Sequence, residues 1–295
     1  MSDARDLTRT LGGKWFRSYG CAPCPVCQPQ RKRGQNALTV ADGHTGSLVL
    51  NCKKSDCAFL DILAESGLRP GDYRAPDAAT IAKREAEQQG EAQRRALQAS
   101  YLWKEVQPIA GTLAETYLRM ARGITCDLPR TLRFHGSCWH GPTAKRYPVL
   151  MAAVQGAGGA CVHRTYLRAD GMGKAAIDPA KMMLGATAGG AVRLTDAPGP
   201  LVVVEGIETA LSLASGLLRG PATLWAALST SGIRGLRLPD HPGRLTIAPD
   251  GDTAGREAAN ALAARAHALG WQVSFLDPGD GADFNDILTR KAVKA

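Results

Sequence analysis

Leu201-Val202-Val203-Val204-Glu205-Gly206-Ile207-Glu208 reads as a strand, a turn and the start of a helix. Residues 201–204 are apolar and mostly β-branched, as in a strand buried on both faces. The run stops at Glu205 and Gly206. Ile207, Ala210, Leu211, Leu213, Ala214 and Leu217 then recur with helical spacing. Open α/β sheets place ligands at the C-terminal ends of their strands, so Glu205 stands where chemistry is expected. A second unit repeats the plan. Residues 245–248 are a short apolar strand, Asp250-Gly251-Asp252 ends it, and residues 253–259 open another helix. Side by side, the two strands deliver three carboxylates to one sheet edge.

Three carboxylates so placed repel one another unless a cation lies among them. All-oxygen donor sets suit hard divalent ions such as Mg²⁺, which keep waters free for substrate phosphates. The chemistry such a set serves is phosphoryl transfer. Read alone, Asp252 is equally well a helix N-cap. The three acids together point to metal.

Residues 202–212 (VVVEGIETALS) and 247–259 (IAPDGDTAGREAA) resemble the Toprim domain of primases and topoisomerases, and most closely that of DnaG-type primases of bacteria and their mobile elements. The resemblance implies a Rossmann-like α/β catalytic core with Glu205, Asp250 and Asp252 as catalytic residues holding Mg²⁺ or Mn²⁺. It also brings in Asp283 and Asp286 of the segment Asp283-Phe284-Asn285-Asp286, where Ala282 replaces the family's lysine. Glu208, one helical step beyond Glu205, is a further acid near the metal or its waters.

The N-terminal part carries its own signal. Cys24-Pro25-Val26-Cys27 is a tight knuckle, and Cys52 and Cys57 follow after two expected strands, residues 37–40 and 47–50, joined by a turn at 42–46. Four thiolates so gathered suit one closed tetrahedral Zn²⁺ site. Cys21, which makes an overlapping Cys-x-x-Cys with Cys24, is the reserve ligand. This part is similar to the CHC2-type zinc-binding domain of the same primases, with a helix expected over 59–68. Arg31, Lys32, Arg33, Lys53 and Lys54 surround the knuckles. They serve either as a solvated face or as contacts to template phosphates. Trp15, Phe16 and Tyr19 are core residues or base-stacking ones.

These readings give a multidomain α+β and α/β chain. They expect a zinc-ribbon-like module at 1–68, a linker and solvent-facing helix at 69–107, a basic α+β region at 108–199 and the Toprim core at 200–290. In the middle region, helix 112–120 precedes strands at 131–135, 147–154, 160–167 and 191–194. Segments such as YLRMARGI (117–124) and HRTYL (163–167) resemble the region before Toprim in mobile-element primases. Arg133, Arg164, Arg168, Lys174 and Lys181 are the expected nucleotide and template contacts, Arg164 and Lys174 foremost. His163 reads as a satisfied structural histidine. The 295 residues carry 36 Lys and Arg against 27 Asp and Glu, a net charge of +9, which favours a polyanionic partner.

Eight cysteines without a signal peptide or a membrane-spanning run fit a cytoplasmic, nucleoid-associated protein whose thiols bind metal. No P-loop motif appears, so a helicase partner would be a separate chain. The implied activity is synthesis of short RNA primers on single-stranded DNA from ribonucleoside triphosphates. The alternatives are a Toprim nuclease or topoisomerase-like strand-cleaving enzyme, with Tyr101, Tyr117, Tyr147 or Tyr166 as nucleophile, and a non-catalytic zinc DNA-binding adaptor.

Overall fold

A computed structural model describes residues 3–16, 18–32, 34–43, 47–69 and 71–293. Arg33, residues 44–46 of the expected turn and Pro70 of the expected linker lie outside these residues. The chain divides into two compact units, Met1–Glu91 and Ala92–Ala295.

In the first unit, helix α1 (Ala4–Thr10) starts at Asp3, whose carboxylate accepts the Asp6 N–H at 2.9 Å. Its three apolar contacts, Ala4, Leu7 and Leu11, are too few for a periodicity argument, and the sequence reading misses it. Strands β1 (Lys14–Trp15), β2 (Tyr19–Ala22), β3 (Leu38–Asp42) and β4 (Leu48–Cys52) form an antiparallel sheet in that order. Helix α2 (Phe59–Glu65) adds Ile62 and Leu63 to a core of Leu7, Leu11, Leu38 and Val40. Asp42 ties the unit together by accepting from the Ala4 N–H at 3.1 Å and the Tyr73 hydroxyl at 2.7 Å. Helix α3 (Ala78–Lys104) begins here, where Arg84 pairs with Asp3.

The end of α3 belongs to the second unit. The sequence reading makes the whole helix solvent-facing, but Ala99 is fully buried, and Leu102 and Trp103 pack with Val149, Met151 and Tyr166. Strand β5 (Gln107–Pro108) follows, then helix α4 (Leu113–Thr116), continued by a wider π-helical turn over Tyr117–Ala121. Strands β6 (Leu132–His140), β7 (Lys145–Ala153), β8 (Val162–Tyr166) and β9 (Lys181–Leu184) complete an antiparallel sheet ordered β5-β6-β7-β8-β9. One face carries Val149, Met151, Val162 and Tyr166 against α3; the other carries Leu132, Phe134, Leu150 and Ala152.

That second face shares its core with the parallel sheet that follows. The latter comprises β10 (Val192–Arg193), β11 (Leu201–Val204), β12 (Thr223–Ala226), β13 (Arg244–Ala248) and β14 (Gln272–Phe275). The intervening helices are α5 (Ile207–Ser212), α6 (Thr230–Gly235) and α7 (Thr253–Ala268), and α8 (Phe284–Val293) follows. The spatial order is β10-β12-β11-β13-β14, parallel throughout except for β10. Val202 and Val204 face Leu132 and Leu150, while Val203, Trp225 and Ile247 pack under α6 and α7. All four β11 residues are buried, which is why its sequence is continuously apolar. Val204 lies opposite Ala248, so β11 and β13 end level with each other, as the two acidic motifs require. Among the described residues, no helix is long and apolar enough to cross a membrane.

Candidate functional site

The first unit holds a thiol cluster. The sulfurs of Cys24, Cys27, Cys52 and Cys57 all lie within 4.8 Å of one another, with Cys27 and Cys52 3.5 Å apart. A tetrahedral zinc with bonds of about 2.3 Å places its sulfurs about 3.8 Å apart, so four thiolates here fit such an ion. Burial opposes ionisation of Cys52, but the backbone N–H groups of Ser55, Cys57 and Lys54 hold it down to about 6. Burial and the crowding of Cys52, Cys27 and Cys24 push Cys57 up to about 12, a repulsion that a cation would relieve. Cys21 sits on β2 outside the cluster.

The second site is the C-terminal edge of the parallel sheet. Glu205 directly follows β11 and Asp250 follows β13 by two residues. The loop that brings in Asp283 is fastened to the Asp250 loop by a reciprocal backbone pair. The Gly251 N–H donates to the Ala282 carbonyl and the Gly281 N–H to the Gly251 carbonyl, both at 2.9 Å. A Cβ on Gly251 would stand 1.9 Å from the Gly279 carbonyl oxygen, so only glycine permits this approach. Glu205, Asp250 and Asp283 line one pocket. Burial, then Asp283 and Asp252, push the Asp250 carboxyl up to about 6, and one of its oxygens is buried without a hydrogen-bond partner. Burial, then Asp250 and Asp252, likewise raise Glu205. These mutually repelling, under-satisfied carboxylates have the character of a cation site. They stand wider apart than the thiols: among the described residues, only the cysteines bring three or more such donors within 4.8 Å.

Asp252 is exposed and caps α7, accepting the Gly255 N–H at 2.6 Å. Asp283 and Asp286 make the same kind of turn at α8: the Asp286 N–H donates to Asp283 Oδ1 at 2.8 Å. Asp286 is exposed and does not line the pocket. Glu208 is buried, and both its oxygens are engaged. Oε1 accepts from the Tyr117 hydroxyl at 2.8 Å and meets Lys174 Nζ at 3.4 Å, while Oε2 meets Lys181 Nζ at 3.1 Å. Although burial opposes its charge, Lys181 and Lys174 hold its carboxyl below the ordinary range.

The pocket also contains Arg122, which the sequence marks only as the start of a turn at 122–124. Arg122 donates through Nε to the Tyr117 oxygen at 2.9 Å and through a terminal nitrogen to Asn285 Oδ1 at 3.3 Å. The Asn285 amide donates back to the Arg122 carbonyl at 2.8 Å and to Ser212 Oγ at 2.9 Å. Arg122 falls just past the π-helical turn, where no local periodicity announces its direction.

The expected basic residues divide between two faces of the antiparallel sheet. Lys181 pairs with Thr165, and His163 with Ala152, so both lie on the pocket side, and both line the pocket. Arg133 and Arg164 each pair with Met151 and so point to the opposite face. There, Arg133 stacks 5.2 Å from the Trp103 ring, and Arg164 donates to the Met183 carbonyl at 3.4 Å. Arg168 is exposed in a loop, paired with Asp170 at 2.6 Å. Arg164 therefore faces away from the pocket while Lys181 faces it, because neighbouring strand residues point to opposite faces. His163 is buried as expected, but its Nδ1 has no partner. Tyr117 and Tyr166 are fully buried with hydroxyls engaged by Glu208 and the Trp139 carbonyl, an inaccessible setting for a strand-cleaving nucleophile.

Residues 200–293 match the family described as the Toprim domain. This segment is a Toprim domain. The acids at the ends of β11 and β13 are thus the Toprim edge, and the pocket lies between it and the antiparallel sheet. Residues 93–194, which supply Arg122, Lys174 and Lys181, match a domain of unknown function (DUF7146). Among solved structures, the chain is similar to a DNA primase domain from Pseudomonas aeruginosa at 19% identity and a TM-score of 0.31, over 60% of this chain and 56% of that one. It is similar to the zinc-binding and RNA polymerase domains of the Aquifex aeolicus primase at 14% identity and a TM-score of 0.40, over 100% and 84%. A primase fragment of the bacteriophage T7 primase-helicase protein aligns at 14% identity and a TM-score of 0.33, over 93% and 97%. This chain spans little more than half of the Pseudomonas structure. No curated protein matches the sequence.

Proposed function

We propose that this chain is a primase of the DnaG type, which joins ribonucleotides on a single-stranded DNA template. The observation that carries the reading is the facing of opposite charges across one pocket. Glu205, Asp250 and Asp283 line one side, and Lys174, Lys181 and Arg122 line the other. Mg²⁺ or Mn²⁺ held by Glu205 and Asp250, with Asp283 and Asp252 adding negative potential, would supply Lewis-acid polarisation of the phosphate under attack. Lys174, Lys181 and Arg122 bind the nucleotide's phosphates and stabilise charge as pyrophosphate leaves. Asn285 holds the Arg122 guanidinium in place. Nothing in this arrangement calls for a side-chain base.

The first unit fits a template-binding role. Cys24, Cys27, Cys52 and Cys57 suit Zn²⁺, which would fix the β-sheet around them. Phe16 and Tyr19 are exposed and stacked, with ring centroids 5.4 Å apart, and offer flat surfaces to unpaired bases. A separate helicase and service to a phage, plasmid or integrative element belong to this proposal.

The test is incubation with single-stranded DNA of varied sequence, labelled ribonucleotides and Mg²⁺ or Mn²⁺. Short RNA products are expected, falling by roughly 100-fold or more in Glu205→Gln, the scale set by loss of a transition-state charge contact. Cleaved or relaxed DNA without synthesis would identify a strand-cleaving enzyme instead, and binding alone an adaptor.

A further inference from the structure

Glu208 is the acid nearest in sequence to Glu205, yet its surroundings differ from those of Glu205 and Asp250. Those two are half-buried, with carboxyls raised first by burial and then by neighbouring acids, Asp250 and Asp252 beside Glu205 and Asp283 and Asp252 beside Asp250. Glu208 is buried, and its two oxygens receive a tyrosine hydroxyl and two ammonium groups. An ion would meet donors already in place at both oxygens, the Tyr117 hydroxyl and Lys174 at Oε1 and Lys181 at Oε2. A buried carboxylate stripped of its partners is costly, whereas one so paired is stable.

The partners define what Glu208 does. Lys174 lies on the loop between β8 and β9, and Lys181 opens β9. Two ammonium groups at one carboxylate would otherwise repel each other, and burial already lowers the charge affinity of Lys174. Glu208 offsets both effects. It also gives Lys181 a partner other than Glu205 and Asp250, whose charges it feels. The carboxylate is fixed from its own side, on α5 in the core of the Toprim domain. The Tyr117 hydroxyl then links it to Arg122, and Arg122 to Asn285 on α8. One buried anion therefore organises all three cations of the pocket.

We propose that Glu208 is a positioning residue: it holds Lys174 and Lys181 as a fixed pair facing the substrate's phosphates and away from the metal-holding acids, and is not itself a metal ligand. The proposal rests on the primase reading for the identity of the substrate, a nucleoside triphosphate. Its geometry does not depend on that reading. Lysines anchored before the reaction stabilise developing charge without reorganising, so releasing them affects the transition state more than substrate binding.

The experiment is a double-mutant cycle on the full chain. Glu208→Gln is compared with Glu205→Gln, with Lys174→Met/Lys181→Met, and with the triple variant. Mn²⁺ affinity, affinity for a non-hydrolysable nucleoside triphosphate, and primer synthesis are each measured. Glu208→Gln is expected to leave Mn²⁺ affinity within about twofold of the parent while synthesis falls by roughly tenfold or more, chiefly in kcat. Added to the lysine-free protein, the same substitution should change synthesis by less than about twofold, because interacting residues are not additive. Glu208→Asp, which keeps the charge, should retain more activity than Glu208→Gln.

Loss of Mn²⁺ binding as large as in Glu205→Gln would make Glu208 a ligand and overturn the proposal. A full additive penalty in the lysine-free background would overturn it too, since a purely structural role gives that result. If the parent protein makes no primers, the primase reading fails. The metal arm and a nucleotide-affinity cycle on the same variants then still decide the role of Glu208.

Discussion

His163 sits on β8 with its Nδ1 unpartnered, and burial, aided by the charge of Lys181, lowers its proton affinity to about 4. In an unfolded chain the ring takes up its proton near the usual 6.5. Between these values the unfolded state binds more protons than the folded one. Stability associated with this residue is therefore complete above about pH 6.5 and is lost as pH falls towards 4. Urea unfolding at pH 7 and pH 5 should show the loss in the parent protein and a smaller one in His163→Gln. Equal pH dependence in the two would mean that the ring is hydrated or charged in the fold. A lone histidine in an apolar strand reads from sequence as buried, and it is. Its lack of a partner follows from which residues of other strands come opposite, information that a single strand does not hold. The same applies to Arg164, one position on, whose direction is set by pleating against β7 and β9.

At the scale of elements, β11 and β13 are legible because each is an apolar run stopped by acid, glycine or proline, and the sheet buries both. Strand β9 is not legible. Lys181-Met182-Met183-Leu184 contains no β-branched or aromatic residue, and it is a strand because β8 presents an open edge to it. Helix α8 also escapes notice, since its few apolar residues, Phe284, Ile287 and Leu288, follow an acidic loop. The pairing of that loop with the one after β13 rests on the missing side chain of Gly251. Gly251→Ala should drive the Asp250 and Asp283 loops apart. The expected cost is about 1–3 kcal/mol of stability, as for other overpacked sites, measured by urea denaturation. Divalent-ion affinity should fall with it; an unchanged affinity would show that the charge of Asp283 does not strengthen ion binding at Asp250.

At the scale of the molecule, the two units differ in what holds them. Residues 92–295 contain layered cores on both faces of two sheets. Residues 1–91 depend on a short sheet, two brief helices and four thiols. In so small a unit, a metal held by the four thiolates would supply much of the folding free energy. A strong zinc chelator should therefore raise amide exchange and protease cleavage within 1–91 by tenfold or more, in the range of about 1.4 kcal/mol per decade, and leave 92–295 protected. Equal protection with and without chelator would remove the metal from the account of stability. The basic balance of the sequence leads one to expect a polyanionic partner. It gives no sign that two of the cations meet on one buried glutamate, with a third joined to it through the Tyr117 hydroxyl.

Tyr117, Arg122, Lys174, Lys181, Glu208 and Asn285 join one network, though they are strung along most of the second unit's sequence. On the ribosome, the lysines emerge before the glutamate that holds them, and Asn285 emerges last of the set. A polypeptide that stops short of that asparagine lacks the group that fixes the Arg122 guanidinium, so the network closes only when nearly the whole second unit is present.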